Sequence, residues 1–350
     1  MWGGKLHYNR PLMAVTVPSF AKINLGLYIG PPGVRDDGFH ELRTVYQTIA
    51  LSDSIRVDIK SGTGVEIKSK NKRVPEDESN TCWKAAERTM KTLRARGRVV
   101  IQIEKNLPVQ GGMGAGSSNA VATMFGIERA LKQRLDCNQR MRIAEEIGSD
   151  VPLFLLGGTV LGISHGEQVF PLQDVPELHL VIATPEVPVS TPKAFKRWDE
   201  LFAESAPANG KGGGNGSGAP QLTAAGQTDK LERFSRELYS WLCGPASGVP
   251  ANGGDRAEAL LLDLVRTGIE NDFERVIFPQ YPDLREVKRA VERTRARYVS
   301  LSGSGSTIYG IFDSAAAAQQ AAKELNAKDI PAQATRTLGR AEYLKAVHGA

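Results

Sequence analysis

Cysteine is scarce in this chain: Cys82, Cys137 and Cys243 are its only three, far apart, with no CxxC spacing. An odd, scattered set argues against a disulfide framework or a structural zinc site. The five histidines show no HExxH or comparable ligand spacing, so nothing points to a transition-metal enzyme. Long apolar runs are also missing, and none approaches the roughly 20 residues that span a bilayer. The opening stretch MWGGKLHYNRPLMAV lacks the continuous apolar core of a signal peptide, so a cytoplasmic location without membrane contact is expected. Charge of one sign is lacking too. Lys plus Arg total 44 against 39 Asp plus Glu, a net +5 with a pI near 9.0, and the basic residues form no stripe. That balance disfavours nucleic acid as a partner and leans mildly toward small anionic ligands such as nucleotides.

What is present is the composition of a globular protein, 41% hydrophobic and 24% charged, in a chain of 350 residues. That length predicts two domains, or one large α/β domain with insertions. Short apolar or alternating runs at Ile23 to Ile29, Val45 to Leu51, Ile55 to Ile59 and Val99 to Ile103 read as strands. A helix begins with Ser79 or Asn80 as N-cap; Cys82, Ala85, Ala86, Met90 and Leu93 fall at helical spacing before Gly97. A second helix, capped by Ser117 or Ser118, places Val121, Met124, Phe125 and Leu131 on one face. After the turn GSDVP, strand-like runs at Val151 to Leu156 and Thr159 to Ile163 lead through Val169 to Leu172 toward Pro176, where a domain boundary is expected. The second half predicts an α+β sandwich: strand Leu178 to Ala183, a helix from Thr191, strands Tyr298 to Leu301 and Ile308 to Phe312, and helix Ala315 to Leu325. Glycine-rich stretches near 207–228 and 244–256 read as flexible surface insertions, and residues 1–13 as an extension before the first domain.

The chemistry concentrates in PVQGGMGAGSS, residues 108–118, immediately before a helix. Glycines let successive N–H groups turn toward an anion, and the helix N-terminus and serine hydroxyls add attraction. The stretch is neither a Walker A loop, since Ser117 stands where that motif needs lysine, nor GxGxxG. A purely structural glycine turn is the alternative. Asp150 in GSDVP is either a general base for an alcohol or a turn-capping aspartate before proline. Lys22, inside the apolar run PSFAKINLGL, either reaches solvent or meets a bound anion. In DDGFHEL, Phe39 and His40 are either binding residues or ordinary core and surface. LSGSGST, from Leu301 to Thr307, is either a tight hairpin or a place where backbone approaches a ligand closely.

Taken together and in order, PSFAKINLGL, DDGFHEL, PVQGGMGAGSSNA, GSDVP and LSGSGS resemble the signature set of the GHMP kinases. AKINL followed by a GYH-like triplet is similar, more narrowly, to the diphosphocytidyl-methylerythritol kinase family. The resemblance runs from about Pro18 to Phe312. It implies a two-domain α+β fold: an N-terminal β-α-β domain (14–176) holding ATP, a C-terminal α/β sandwich domain (177–350), and the active site in the cleft between them. It implies transfer of the ATP γ-phosphoryl group, with Mg²⁺, to the 2-hydroxyl of 4-diphosphocytidyl-2-C-methyl-D-erythritol by a monomer or homodimer.

The resemblance also implies roles for individual residues. Asp150 matches the catalytic base and Lys22 its lysine partner. Pro108, Val109, Gln110, Gly111, Gly112, Met113, Gly114, Ala115, Gly116, Ser117 and Ser118 match the phosphate loop, with Asn80 and Lys105 on the adenine side. Asn24, Phe39, His40, Thr191 and Phe195 match the acceptor pocket, in which two aromatics sandwich cytosine and the histidine reads its edge. The metal ligands are not evident; a Ser117 or Ser118 hydroxyl is the expectation. Phe39 replaces a frequent tyrosine, Ser149 a frequent alanine, and Ala115 one loop glycine. A homoserine or mevalonate kinase of the same superfamily is the nearer rival, weighed against by FHEL and the Thr191/Phe195 pair. A non-catalytic nucleotide- or RNA-binding module is the other, weighed against by retention of both Lys22 and Asp150.

Overall fold

A computed structural model describes residues 13–109, 111–205, 226–227, 230, 232 and 270–349. Gln110, residues 1–12 and nearly all of both glycine-rich stretches lie outside the described residues.

Two long antiparallel strands, β1 (Val15–Ile29) and β2 (Leu42–Lys60), form the spine. The runs at Val45 to Leu51 and Ile55 to Ile59, expected as separate strands, are one, because Asp53 between them is buried and satisfied rather than turned to solvent. Its carboxylate accepts from the backbone N–H groups of Asn106 and Leu107 at 2.8 Å each and pairs with Lys105. Strands β3 (Val65–Ser69), β4 (Arg98–Glu104), β5 (Thr159–Ile163) and β6 (Gln168–Pro171) complete a sheet ordered β3-β4-β2-β5-β6, with β1 on β2. Helices α1 (Thr81–Thr92), α2 (Ala115–Leu131) and α3 (Cys137–Ile147) belong to the same layer. Their buried faces, including Ala86, Val121 and Phe125, share a core with Val17, Ile55, Val57 and Ile101 of the sheet.

The run Val151 to Leu156, expected as a strand, instead makes a turn and the single-turn helix α4 (Leu153–Leu156). Pro152 supplies an αR φ of −55° at its start, and Gly157 at φ 62° ends it. The second sheet, β10-β7-β9-β8, is antiparallel throughout: β7 (His179–Ala183), β8 (Tyr298–Leu301), β9 (Ile308–Phe312) and β10 (Ala332–Arg336). Around it lie α5 (Thr191–Ser205), α6 (Glu274–Gln280), α7 (Pro282–Glu292) and α8 (Ala315–Asn326). Trp198, Val291, Ile308 and Leu325 fill its core, which Leu27 and Ile29 at the end of β1 also enter. A further cluster, Ile23, Leu25, Val45, Leu180, Ile182 and Tyr309, joins the two sheets. The last helix, α9 (Arg340–His348), returns to the first layer, where Tyr343 and Val347 are buried.

Candidate active site

Lys22 and Asn24 sit on β1 between two register breaks against β2, at Phe20/Lys22 and Asn24/Gly26. Such bulges re-aim side chains and increase local twist, and here they flank the residues with chemistry to perform. Lys22 is 2% exposed. Its ammonium donates to Asn24 Oδ1 at 2.7 Å and to the Gly112 carbonyl at 2.8 Å, and lies 3.5 Å from Asp150 Oδ2. Burial pulls its pKa below the ordinary lysine value, and the Asp150 charge opposes that pull. Asn24 is held in turn: its amide donates to Thr44 Oγ1 at 2.8 Å, while that hydroxyl donates to the Gly26 carbonyl at 2.7 Å. The Thr44 proton is thereby committed, which fixes the amide orientation that turns Asn24 Oδ1 toward lysine. Asn24, expected in the acceptor pocket, is only 1% exposed and has both ends of its side chain engaged, by Lys22 and by Thr44.

Asp150 stands on the turn that follows α3, where the Val151 N–H donates to the Gly148 carbonyl at 3.0 Å. Its side chain keeps 35% of its exposure, which leaves a carboxylate reachable from the cleft beside a buried cation. Tyr46 OH donates to Asp150 Oδ1 at 3.1 Å, and Lys22 Nζ lies 5.5 Å from the Tyr46 ring centroid.

The glycine loop meets this pair directly. Gly112 and Gly114 have φ of 77° and 65°, and Gly114 caps α2 without a side-chain bond, so the helix starts at Ala115 rather than at the serines. Ser117 and Ser118, expected as caps, lie instead in the first turn. Ser118 is buried and accepts from Ser19 Oγ at 2.8 Å, whereas Ser117 is half-buried next to exposed Gly116. The Lys22 N–H donates to the Met113 carbonyl at 3.0 Å, and Pro108 and Val109, half-buried, lead into the loop.

LSGSGST packs against the loop backbone to backbone. Thr307 N–H donates to Gly111 O at 3.1 Å and Ser302 Oγ to Gly112 O at 3.0 Å. A Cβ on Gly112 would stand 2.2 Å from the Ser302 carbonyl, so only glycine permits this approach.

Other expected residues fall into separate groups. Asn80 is the N-cap of α1: its side chain accepts from Cys82 N at 2.9 Å and donates to Pro75 O at 2.6 Å. Lys105 Nζ is 2.6 Å from Asp53 Oδ2, and that pair is buried. Thr191 opens α5, its hydroxyl 2.7 Å from Ser304 Oγ of LSGSGST. His40 stacks on Phe195, centroids 4.9 Å apart at 16°, and its Nε2 lies 2.6 Å from Asp199 Oδ1. Phe39 is 59% exposed and packs at 5.0 Å on His165 rather than facing Phe195. Sequence reasoning missed Tyr46, Thr44, His165 and Asp199. Their placement depends on strand register and long-range packing, which leave no local mark.

An anion cradle at a helix N-terminus, with an embedded lysine and an accessible aspartate beside it, is the equipment of a small-molecule kinase. Two family profiles match accordingly: "GHMP kinases N terminal domain" over residues 80–158 and "GHMP kinases C terminal" over 257–330. The class is thus the GHMP kinases. A 4-diphosphocytidyl-2-C-methyl-D-erythritol kinase of Solibacter usitatus is 34% identical over 294 residues, 84% of this chain and 80% of that protein. One of Acaryochloris marina is 30% identical over 313 residues, 89% of this chain and 91% of that protein. The chain belongs to the family of 4-diphosphocytidyl-2-C-methyl-D-erythritol kinases. A crystal structure of 4-(cytidine 5'-diphospho)-2C-methyl-D-erythritol kinase superposes with a TM-score of 0.66 at 27% identity, over 93% of this chain and all of that one. A homoserine kinase from Cytophaga hutchinsonii, TM-score 0.64 at 20% identity over 96% of this chain and 98% of that one, shares the fold.

Proposed function

We propose that the chain transfers the γ-phosphoryl group of ATP, with Mg²⁺, to the 2-hydroxyl of 4-diphosphocytidyl-2-C-methyl-D-erythritol, giving the 2-phosphate and ADP. The observation that carries this reading is the Lys22–Asp150 ion pair at 3.5 Å, lodged against the Gly112 carbonyl of the glycine loop. Phosphoryl transfer needs mainly positioning and charge neutralisation. The loop and the first turn of α2, open at Gly116 and half-open at Ser117, hold the phosphates. Asp150 orients the acceptor hydroxyl and takes its proton, while Lys22 stabilises the charge that develops. His40, Phe195 and Thr191 line the acceptor side, with exposed Phe39 free to meet a base from across the cleft. Asn80 and Lys105 build the adenine wall by capping α1 and by binding Asp53, since their polar atoms are already engaged.

Mg²⁺ neutralises phosphate charge when bound. Among the described residues no group of three or more His, Cys, Asp or Glu side chains could cage a metal. Mg²⁺ keeps several waters and binds largely through substrate phosphates, so one protein hydroxyl beside the loop is enough to join its shell. Ser117, the accessible serine, is the residue to hold it. Removing divalent cations with a chelator is expected to abolish turnover, and excess Mg²⁺ to restore it.

The domain division belongs to the same reading. Residues 14–176 form the nucleotide domain and the chain from 177 the second, except that α9 is returned to the first. ATP and a diphosphate acceptor are intracellular metabolites, which supports a cytoplasmic enzyme acting on small molecules. The test is ADP release from Mg-ATP with and without the acceptor. Release that depends on the acceptor supports the reading, whereas binding of ATP without release contradicts it.

A further inference from the structure

We propose that Tyr46 is a positioning residue for phosphoryl transfer: its phenol holds Asp150 Oδ1 so that Oδ2 faces Lys22 and the acceptor hydroxyl. This inference rests on Asp150 acting on that hydroxyl.

Asp150 lies on a turn, half-exposed, where its own backbone does little to fix the carboxylate about its last rotatable bond. The restraint comes from β2. Tyr46 pairs with Asn24 across the spine and is 3% exposed, with its hydroxyl 3.1 Å from Asp150 Oδ1. The ring has almost no freedom. A Cβ on Gly162 of β5 would stand 2.5 Å from its Cε2, and a Cβ on Gly166 in the β5–β6 turn 2.7 Å from its hydroxyl. Backbone without side chains has thus cleared a slot that aims one hydroxyl at one carboxylate oxygen.

Burial, reinforced by the Asp150 and Glu167 charges, pushes the phenol well above its ordinary pKa, so it remains a protonated donor at any pH where the enzyme works. Charged groups elsewhere around the turn do not compete for Oδ1. Lys22 from β1 faces Oδ2, and His165 is engaged with Ser149 at 3.0 Å and Glu167 at 3.1 Å. A bond from a fixed donor to a charged acceptor is stronger and more directional than a neutral one.

The alternative is a core tyrosine whose hydroxyl merely found a partner, and kinetics separate the two. Tyr46→Phe keeps the ring in its slot and removes only the donor. Its kcat is expected to fall roughly ten- to hundredfold, the loss of a bond to a charged group. The KM values for ATP and acceptor should each stay within about twofold, because the phenol is buried and engaged with Asp150. Gly162→Ala, at a β5 position outside the left-handed region, would press on the ring at Cε2 while keeping the hydroxyl, and should lower kcat in the same way. It provides the test should the phenylalanine variant not fold, as thermal melting would report.

In an Asp150→Ala background, adding Tyr46→Phe should change residual turnover less than about twofold, because the acceptor of the bond is already gone. Equal losses in both backgrounds, or a Tyr46→Phe kcat within twofold of wild type, would overturn the proposal. Near-normal turnover by Asp150→Ala alone would overturn the role of Asp150, and that of Tyr46 with it. A large loss there, with none in Tyr46→Phe, would overturn Tyr46 alone.

Discussion

Asp150 and Lys22, the pair proposed to carry the reaction, sit in opposite conditions: a side chain with 35% exposure and one with 3%. Replacing Asp150 with Asn keeps the shape and removes the base, so kcat should drop by roughly 10² or more with ATP affinity nearly unchanged. Steady-state kinetics at saturating acceptor check this, and near-normal turnover would remove Asp150 from the mechanism. The aromatics separate similarly. Base stacking on an aromatic is worth about 1–3 kcal/mol by alanine substitution, so Phe39→Ala should weaken use of the cytidine-bearing acceptor by roughly 5- to 150-fold. Phe195→Ala should cost at least as much, because it also removes the surface on which His40 stacks at 4.9 Å. Neither change should move the ATP KM beyond about twofold. A rise in ATP KM with the acceptor unaffected would put these rings in the adenine pocket or the core.

At this scale the sequence was legible in residue type and motif order, and silent on partners. An ammonium inside an apolar run left Lys22 open between solvent and a bound anion, and only the motif set implied its role. That it is gripped by Asn24 Oδ1 and Gly112 O follows only from bulges and loop packing. Phe39 and Phe195 were expected as facing rings, yet His40 covers Phe195 and His165 supports Phe39, contacts between elements far apart in the chain.

Elements meet the site chiefly through backbone. The glycine loop and LSGSGST lie so close that a methyl on Gly112 would press into the Ser302 carbonyl, at a φ of 77° that alanine resists. Gly112→Ala should therefore destabilise by about 1–3 kcal/mol. It should also raise the ATP KM, read together by thermal melting and kinetics; a variant with both unchanged would show that the two motifs do not depend on each other. Asn271, 2% exposed, supports LSGSGST from behind: its amide donates to Leu301 O and Gly303 O, each at 2.8 Å, and its Oδ1 accepts from Phe273 N. Helical periodicity reported α1 and α8 well, because each buries one face, whereas β1 from Ala21 to Ile29 and most of α2 are buried all round. Periodicity failed at Val151 to Leu156, where a short apolar run fits strand and helix alike and the proline settled it locally.

Across the whole molecule, the cleft depends on contacts that cross between layers. The end of β1 enters the second core through Leu27 and Ile29, and α9 closes back on the first. Tyr343 of α9, 1% exposed, donates its hydroxyl to the Phe154 carbonyl of α4, just beyond the Asp150 turn. Tyr343→Ala should destabilise the fold by about 3–5 kcal/mol, the range for truncating a buried aromatic. Denaturant unfolding measures this, and a loss below about 1 kcal/mol would mean that α9 is peripheral.

The central claim is the identity of the acceptor, and the most direct measurement is turnover of Mg-ATP against a panel of 4-diphosphocytidyl-2-C-methyl-D-erythritol, homoserine and mevalonate. The account predicts that the cytidine-bearing alcohol alone is phosphorylated, with a single new phosphate on its 2-hydroxyl. Phosphorylation of homoserine or mevalonate in its place, or ATP binding without transfer to any of the three, would contradict it.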